Sequence, residues 1–258
     1  GVDVAHVWST LWRTYLDPVQ MARRPGLHAT VPVACWAAGA LLYRAGGAGL
    51  FWRALAYLAV FHFVRQQWGF LRLYQRFEGR PTWLDDALDR GALYGGMLYP
   101  LVYWHASLPR HFEWFVPGDF AALPAAPAAP AGALYAAVLA AWALRQALRA
   151  RRESLHPGRL LVVAGTAAAW WTGIVACASD LAFTVTNVLA HGVPYFALLW
   201  LATPRPPGRA ARLPRAAWAA AFLLVPLGLA YAEEGLWDFF IWRDHAALFF
   251  GWTGAAEP

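Results

Sequence analysis

The chain has 258 residues, of which 60% are hydrophobic and only 14% charged, against about 45 to 50% apolar and about 25% charged in soluble domains. This composition excludes an ordinary soluble fold and leaves no stretch polar enough for a separate soluble domain. All 21 basic residues behind the net charge of +6 are arginine; they sit in short patches between apolar runs, which excludes nucleic acid as a partner and any lysine Schiff-base chemistry.

The first 17 residues, GVDVAHVWSTLWRTYLD, mix apolar, aromatic and polar positions and stop at Asp17-Pro18, where proline limits continuation. They read either as an interfacial helix or as the end of an eighth span. They show no signal-peptide pattern. A spanning helix needs about 20 predominantly apolar residues, and seven segments qualify: 27–43, 50–71, 92–108, 131–148, 160–176, 181–202 and 216–231. The predicted fold is one all-α, polytopic transmembrane bundle of about seven spans, eight with the N-terminal helix. Residues 121–130, AALPAAPAAP, predict an extended connector.

Arginine alternates between connections as the positive-inside rule requires. Arg13, Arg23 and Arg24 precede the first segment; Arg72, Arg76, Arg80 and Arg90 follow the second; Arg149, Arg151, Arg152 and Arg159 follow the fourth; Arg205, Arg209, Arg212 and Arg215 follow the sixth. The intervening connections carry less positive charge. The expected topology has the N-terminal flank and arginine-rich loops cytoplasmic, the C-terminus outside, and the bacterial inner membrane as location. Sixteen tryptophans, many near segment ends, fit an aromatic belt. Cys35 and Cys177 lie inside apolar runs, where a structural disulfide is not expected.

Ionisable groups inside spans are costly and mark sites or partners. In the sixth segment Asp180, Thr184, Asn187 and His191 follow spacings of four, three and four and share one helical face, and His191 is followed by Gly192 and Pro194. Asp180 reads either as a helix cap or as a site carboxylate. In the second segment, FHFVRQQWG, His62, Arg65, Gln66 and Gly69 share another face; Arg65 serves an anionic group or snorkels to the boundary. At the N-terminus Asp3 precedes His6 by three residues, a spacing at which carboxylate and imidazole can share one ion. His105 lies near the outer end of the third segment. Glu234, Asp238 and His245 share a face if the C-terminal stretch is helical.

These placements predict a metal site drawn from Asp3, His6, His62, His105, Asp180 and His191, with Arg65 and Asn187 as catalytic groups. The donor set suits iron first, with zinc or copper as alternatives. The leading expectation is a membrane-embedded, histidine-ligated metalloenzyme, an oxidoreductase or oxygenase of a lipophilic substrate. The alternatives are a transporter or proton-coupled carrier with a histidine-lined path, and a haem-binding or scaffolding subunit of a membrane complex. The expected partners are the bilayer, a lipophilic small molecule and another membrane protein.

In general plan the chain is similar to polytopic, histidine-containing bacterial enzymes of lipids and carotenoids, such as membrane desaturases and carotene-cleaving oxygenases. HFVRQQWG loosely resembles the His-Phe element of the latter. The clustered H-x-x-H-H boxes and the His-Gly-x-x-Asp element are absent, and His191-Gly192 runs into Val193-Pro194-Tyr195. No family is assigned on these residues.

Overall fold

The computed structural model describes residues 2–79, 81–203, 214–243 and 245–249. Every regular element among them is helical. In chain order these are α1 (Val2–Ser9), α2 (Pro18–Arg23), α3 (Pro25–Gln75), α4 (Trp83–Ala106), α5 (Ala128–Ala150), α6 (Pro157–Trp170), α7 (Asp180–Phe183), α8 (Leu189–Ala202) and α9 (Arg215–Trp237). Three π-helical stretches extend or bridge them: Trp171–Ala176 after α6, Thr184–Val188 between α7 and α8, and Asp238–Trp242 after α9.

Five of these helical runs are long and apolar enough to cross a membrane: Pro25–Gln75, Ala128–Ala150, Pro157–Ala176, Asp180–Ala202 and Arg215–Trp242. Large apolar side chains on them face outward, including Leu161 at 71%, Leu181 at 72% and Leu201 at 83% exposure. Such surface is unfavourable in water and natural in hydrocarbon. This supports an integral membrane protein.

The sequence segments map unevenly onto the helices. Segments 27–43 and 50–71 lie in the single run α3, whose two limbs meet at Gly47 with φ 66° and ψ −166°. That positive φ is why a glycine stands there. Segment 92–108 corresponds to α4, whose first turns carry Asp85, Asp86, Asp89 and Arg90 and which is not among the five. The connector 121–130 is helical from Ala128 onward. The N-terminal stretch forms α1 and a 3-10 turn, Thr10–Arg13; eight helical residues rise only about 12 Å, less than half the hydrocarbon core.

The chain divides into two compact units. One comprises Cys35–His191. Its core gathers Phe63, Leu71, Leu93, Met97, Trp104, Phe112, Val163, Trp170, Ile174 and Phe183. Here the lower limb of α3 meets α6 in antiparallel rungs. Phe63 packs edge-to-face on Trp170, with centroids 6.3 Å apart. Four residues on, Gln67 Oε1 accepts from Thr166 Oγ1 at 3.2 Å. The next pair, Leu71 and Val163, is fully buried. In the last rung Gln75 and Arg159 both donate to Asp89 of α4. A step of four along α3 is answered by three or four along α6, the spacing that keeps one face of each helix turned to the other.

The other unit comprises the described residues among Gly1–Ala34 and Gly192–Pro258. There α1 lies along α9, with Trp8 Nε1 donating to Glu233 Oε2 at 2.7 Å and Trp12 Nε1 to the Phe222 carbonyl at 3.2 Å. The Trp12 ring packs between Trp218 and Phe222, beside Leu199. The N-terminal helix is thus anchored through indole nitrogens that are satisfied as they are buried.

Candidate metal centre

Two of the predicted histidines come together inside the unit Cys35–His191. His62 on α3 and His191 at the start of α8 have ring centroids 5.0 Å apart at an interplanar angle of 80°, and each offers a ring nitrogen within 4.8 Å of the other's. Two nitrogens bound to one ion at about 2.0 to 2.1 Å each lie at most about 4.2 Å apart, so the pair stands near the span a shared ion requires.

Three features fix His191. Its ring, 1% exposed, stacks on Phe63 with centroids 3.7 Å apart and planes 10° from parallel. Gln66 Nε2 donates to the His191 carbonyl at 2.8 Å, beside the carbonyl of Ala190 that Pro194 deprives of its usual donor. The π-helix Thr184–Val188 ends just before Leu189. π-Bulges recur at functional sites because they re-aim side chains at the cost of regular bonding.

Asn187, one turn before His191, is 2% exposed. Its Nδ2 donates to the Phe183 carbonyl at 3.1 Å and to Thr186 Oγ1 at 3.1 Å, while Oδ1 is buried without a partner among the described residues. Gly173 on the preceding π-helix makes this possible: a Cβ there would stand 2.2 Å from Thr186 Oγ1 and 2.5 Å from Asn187 Nδ2.

The remaining predicted residues are placed as follows. His6 is buried at 4% in its own unit, with Nδ1 3.4 Å from Asp3 Oδ1 and its ring edge-on to Tyr195. His105 is engaged at both ring nitrogens, Nε2 with the Tyr57 hydroxyl at 2.9 Å and Nδ1 with the Leu101 carbonyl at 2.7 Å. Asp180 is exposed in the first turn of α7, where Ser179 is the N-cap and makes no side-chain bond. Arg65 is exposed on α3. At the C-terminal end Asp238 accepts from the His245 amide at 3.3 Å and lies 3.4 Å from the His245 ring.

No family model, curated protein or solved structure matches the chain. The site therefore rests on its own geometry and chemistry.

Sequence reasoning missed a second polar cluster. Arg159, 1% exposed, directs Nη1 to both oxygens of Asp89 at 2.8 and 2.9 Å, Nε to Glu78 and Nη2 to Gln146. Asp89 also accepts from Trp142 Nε1 at 2.9 Å. Beside it Arg145 and Arg149 pair with Asp85 in the lining of a polar cavity of about 150 Å³. Burial would raise the Asp85 carboxyl, but hydrogen bonds from Arg145 and Thr82 and the Arg149 charge hold it down at about 2. The signal available was Thr82 followed by Asp85, a capping pair in which Thr82 Oγ1 accepts from the Asp85 amide at 3.2 Å, and then Asp89 one turn on. Hydropathy and arginine counting treat these as loop charges, because neither carries information about which helix end meets which. Phe63 was missed because its aromatic ring looks like any other apolar position.

Proposed function

We propose that this protein is a membrane-embedded, histidine-ligated metalloenzyme, an oxidoreductase or oxygenase of a lipophilic substrate. The observation that carries the reading is the His62–His191 pair, two imidazoles brought edge to face in an apolar helical bundle. His191 is buried and His62 is exposed on its helix; the neutral imidazole is the form that binds metal.

A third ligand is proposed from the sequence, where His6 follows Asp3 at a spacing that lets carboxylate and imidazole share one ion. Asp3 then stands as the carboxylate that orients an imidazole or joins the ion. Histidines with a carboxylate and an open position suit iron, with zinc and copper as the other candidates. The metal would supply redox or Lewis-acid chemistry; Phe63 and Gln66 hold His191 in place, and Asn187 offers an amide one turn away. His105 and Asp180 are not included, since the first is engaged at both nitrogens and the second does not join the His62–His191 cluster.

We further propose seven crossings. The two limbs of α3 turn at Gly47, α4 adds a crossing through its apolar part, and α5, the runs Pro157–Ala176 and Asp180–Ala202, and α9 complete the set, with the arginine-rich connections cytoplasmic.

Metal analysis of purified protein tests the reading. One transition-metal ion per chain, lost in the His62→Ala/His191→Ala variant, is expected. Substoichiometric metal that the double variant leaves unchanged overturns it, and substrate flux in proteoliposomes would then favour the carrier.

A further inference from the structure

We infer that the face of α3 beside His62 binds the anionic end of a single-chain amphiphile, with Arg65 as its counter-charge. The inference names a substrate class for the proposed metal centre and rests on that reading for what becomes of the bound molecule.

Arg65 stands three residues after His62, so the two share one face at a rise of about 4.5 Å. It is exposed and makes no hydrogen bond or ion pair among the described residues. Arg72 and Arg90 meet Asp86, and Arg145, Arg149 and Arg159 meet the carboxylates of the polar cluster. Arg65 lies about 15 Å of helix before Gln75 and the polar cluster there. A cation on an apolar span is offset by an anion, and a guanidinium holds carboxylate or phosphate through two parallel bonds.

The surroundings specify the rest of the ligand. One turn beyond Arg65, the position where Gly69 would carry a Cβ has no atom within 4 Å, which leaves the same helix face open there. In the other direction, past His62, Leu58 and Phe61 are exposed at 60% and 63%. Along the helix the order is open space, cation, imidazole, apolar side chains. An amphiphile with its head on Arg65 and its tail along Leu58 and Phe61 passes its first carbons over His62.

The test uses full-length protein in nanodiscs of zwitterionic lipid, with fluorescent cis-parinaric acid as probe, its methyl ester as the uncharged control and dodecyl phosphate as competitor. The acid binds wild type at least about tenfold more tightly than Arg65→Gln, the loss expected of a charge-assisted bond. The ester binds both equally weakly, dodecyl phosphate displaces the acid, and Arg65→Lys retains part of the affinity. Equal binding of the acid by wild type and Arg65→Gln, or of acid and ester by wild type, overturns the proposal. Displacement of the acid by phosphatidylglycerol in the nanodisc also overturns it, assigning Arg65 to bilayer phosphate. Metal content measured on the same samples separates the two readings: Arg65-dependent binding without metal keeps this site and rejects the metal centre, and metal without such binding does the reverse.

Discussion

The imidazole of His191 lies flat on the ring of Phe63 at 3.7 Å, while His62, the residue before Phe63, meets the same imidazole edge-on at 5.0 Å. Consecutive residues on a helix point about 100° apart, so one turn of α3 grips His191 on two sides. Phe63→Leu keeps the apolar volume and removes the stack. Metal affinity is expected to fall about tenfold or more, the usual effect of losing an orienting neighbour; titration against a competing chelator measures it, and unchanged affinity would deny the stack any positioning role.

Gly173 is required by the close approach of two π-helical stretches. Gly173→Ala places a methyl group on Thr186 and Asn187 and is expected to destabilise by about 1 to 3 kcal/mol, as overpacking does. Thermal unfolding in detergent should show it, with partial recovery in Gly173→Ala/Thr186→Ala. Full stability of the single variant would mean that the helices separate freely here.

Arg159 and Asp89, each 1% exposed, form the centre of the second cluster. Removing one partner leaves a buried charge, at a typical cost of about 3 to 5 kcal/mol. Asp89→Ala and Arg159→Met should each lower the unfolding midpoint sharply, whereas Asp89→Leu/Arg159→Met should regain much of the loss. A double variant as unstable as the sum of the singles would show that Glu78, Gln146 and Trp142 depend on the pair.

Asp85 supplies a pH signature. Its carboxyl is held at about 2 in the folded protein against about 3.9 for a free aspartate. A depressed folded value stabilises above the unfolded value and is lost as pH falls through the folded one. Stability should therefore decline between about pH 4 and about pH 2, and Asp85→Asn should flatten that decline. Arg145→Met should shift it upward, because the first hydrogen bond holding the carboxyl down comes from Arg145.

Part of the candidate site was legible in the sequence. The spacing of Asp180, Thr184, Asn187 and His191 and the FHFVRQQWG stripe pointed to His62, Asn187 and His191 because charge and hydrogen-bonding capacity are conspicuous on an apolar helix. Phe63 and Gln67 were not legible: an aromatic ring or amide gains its role from the side chain it meets on another helix. Arg159 shows the opposite error, since a basic residue at a segment end is read as a loop charge until a carboxylate from another helix buries it.

By itself the sequence determined that the chain is helical and suited to a membrane, since an apolar run must satisfy its own backbone bonds in hydrocarbon whatever its neighbours are. It also determined which turns carry imidazole, carboxylate and guanidinium. Only the tertiary structure decided that Phe63 lies under His191, that His105 spends both nitrogens on Tyr57 and Leu101, and that Arg159 closes on Asp89. Helical periodicity fixes direction around one axis; distance between axes comes from packing, which joins residues far apart in the chain.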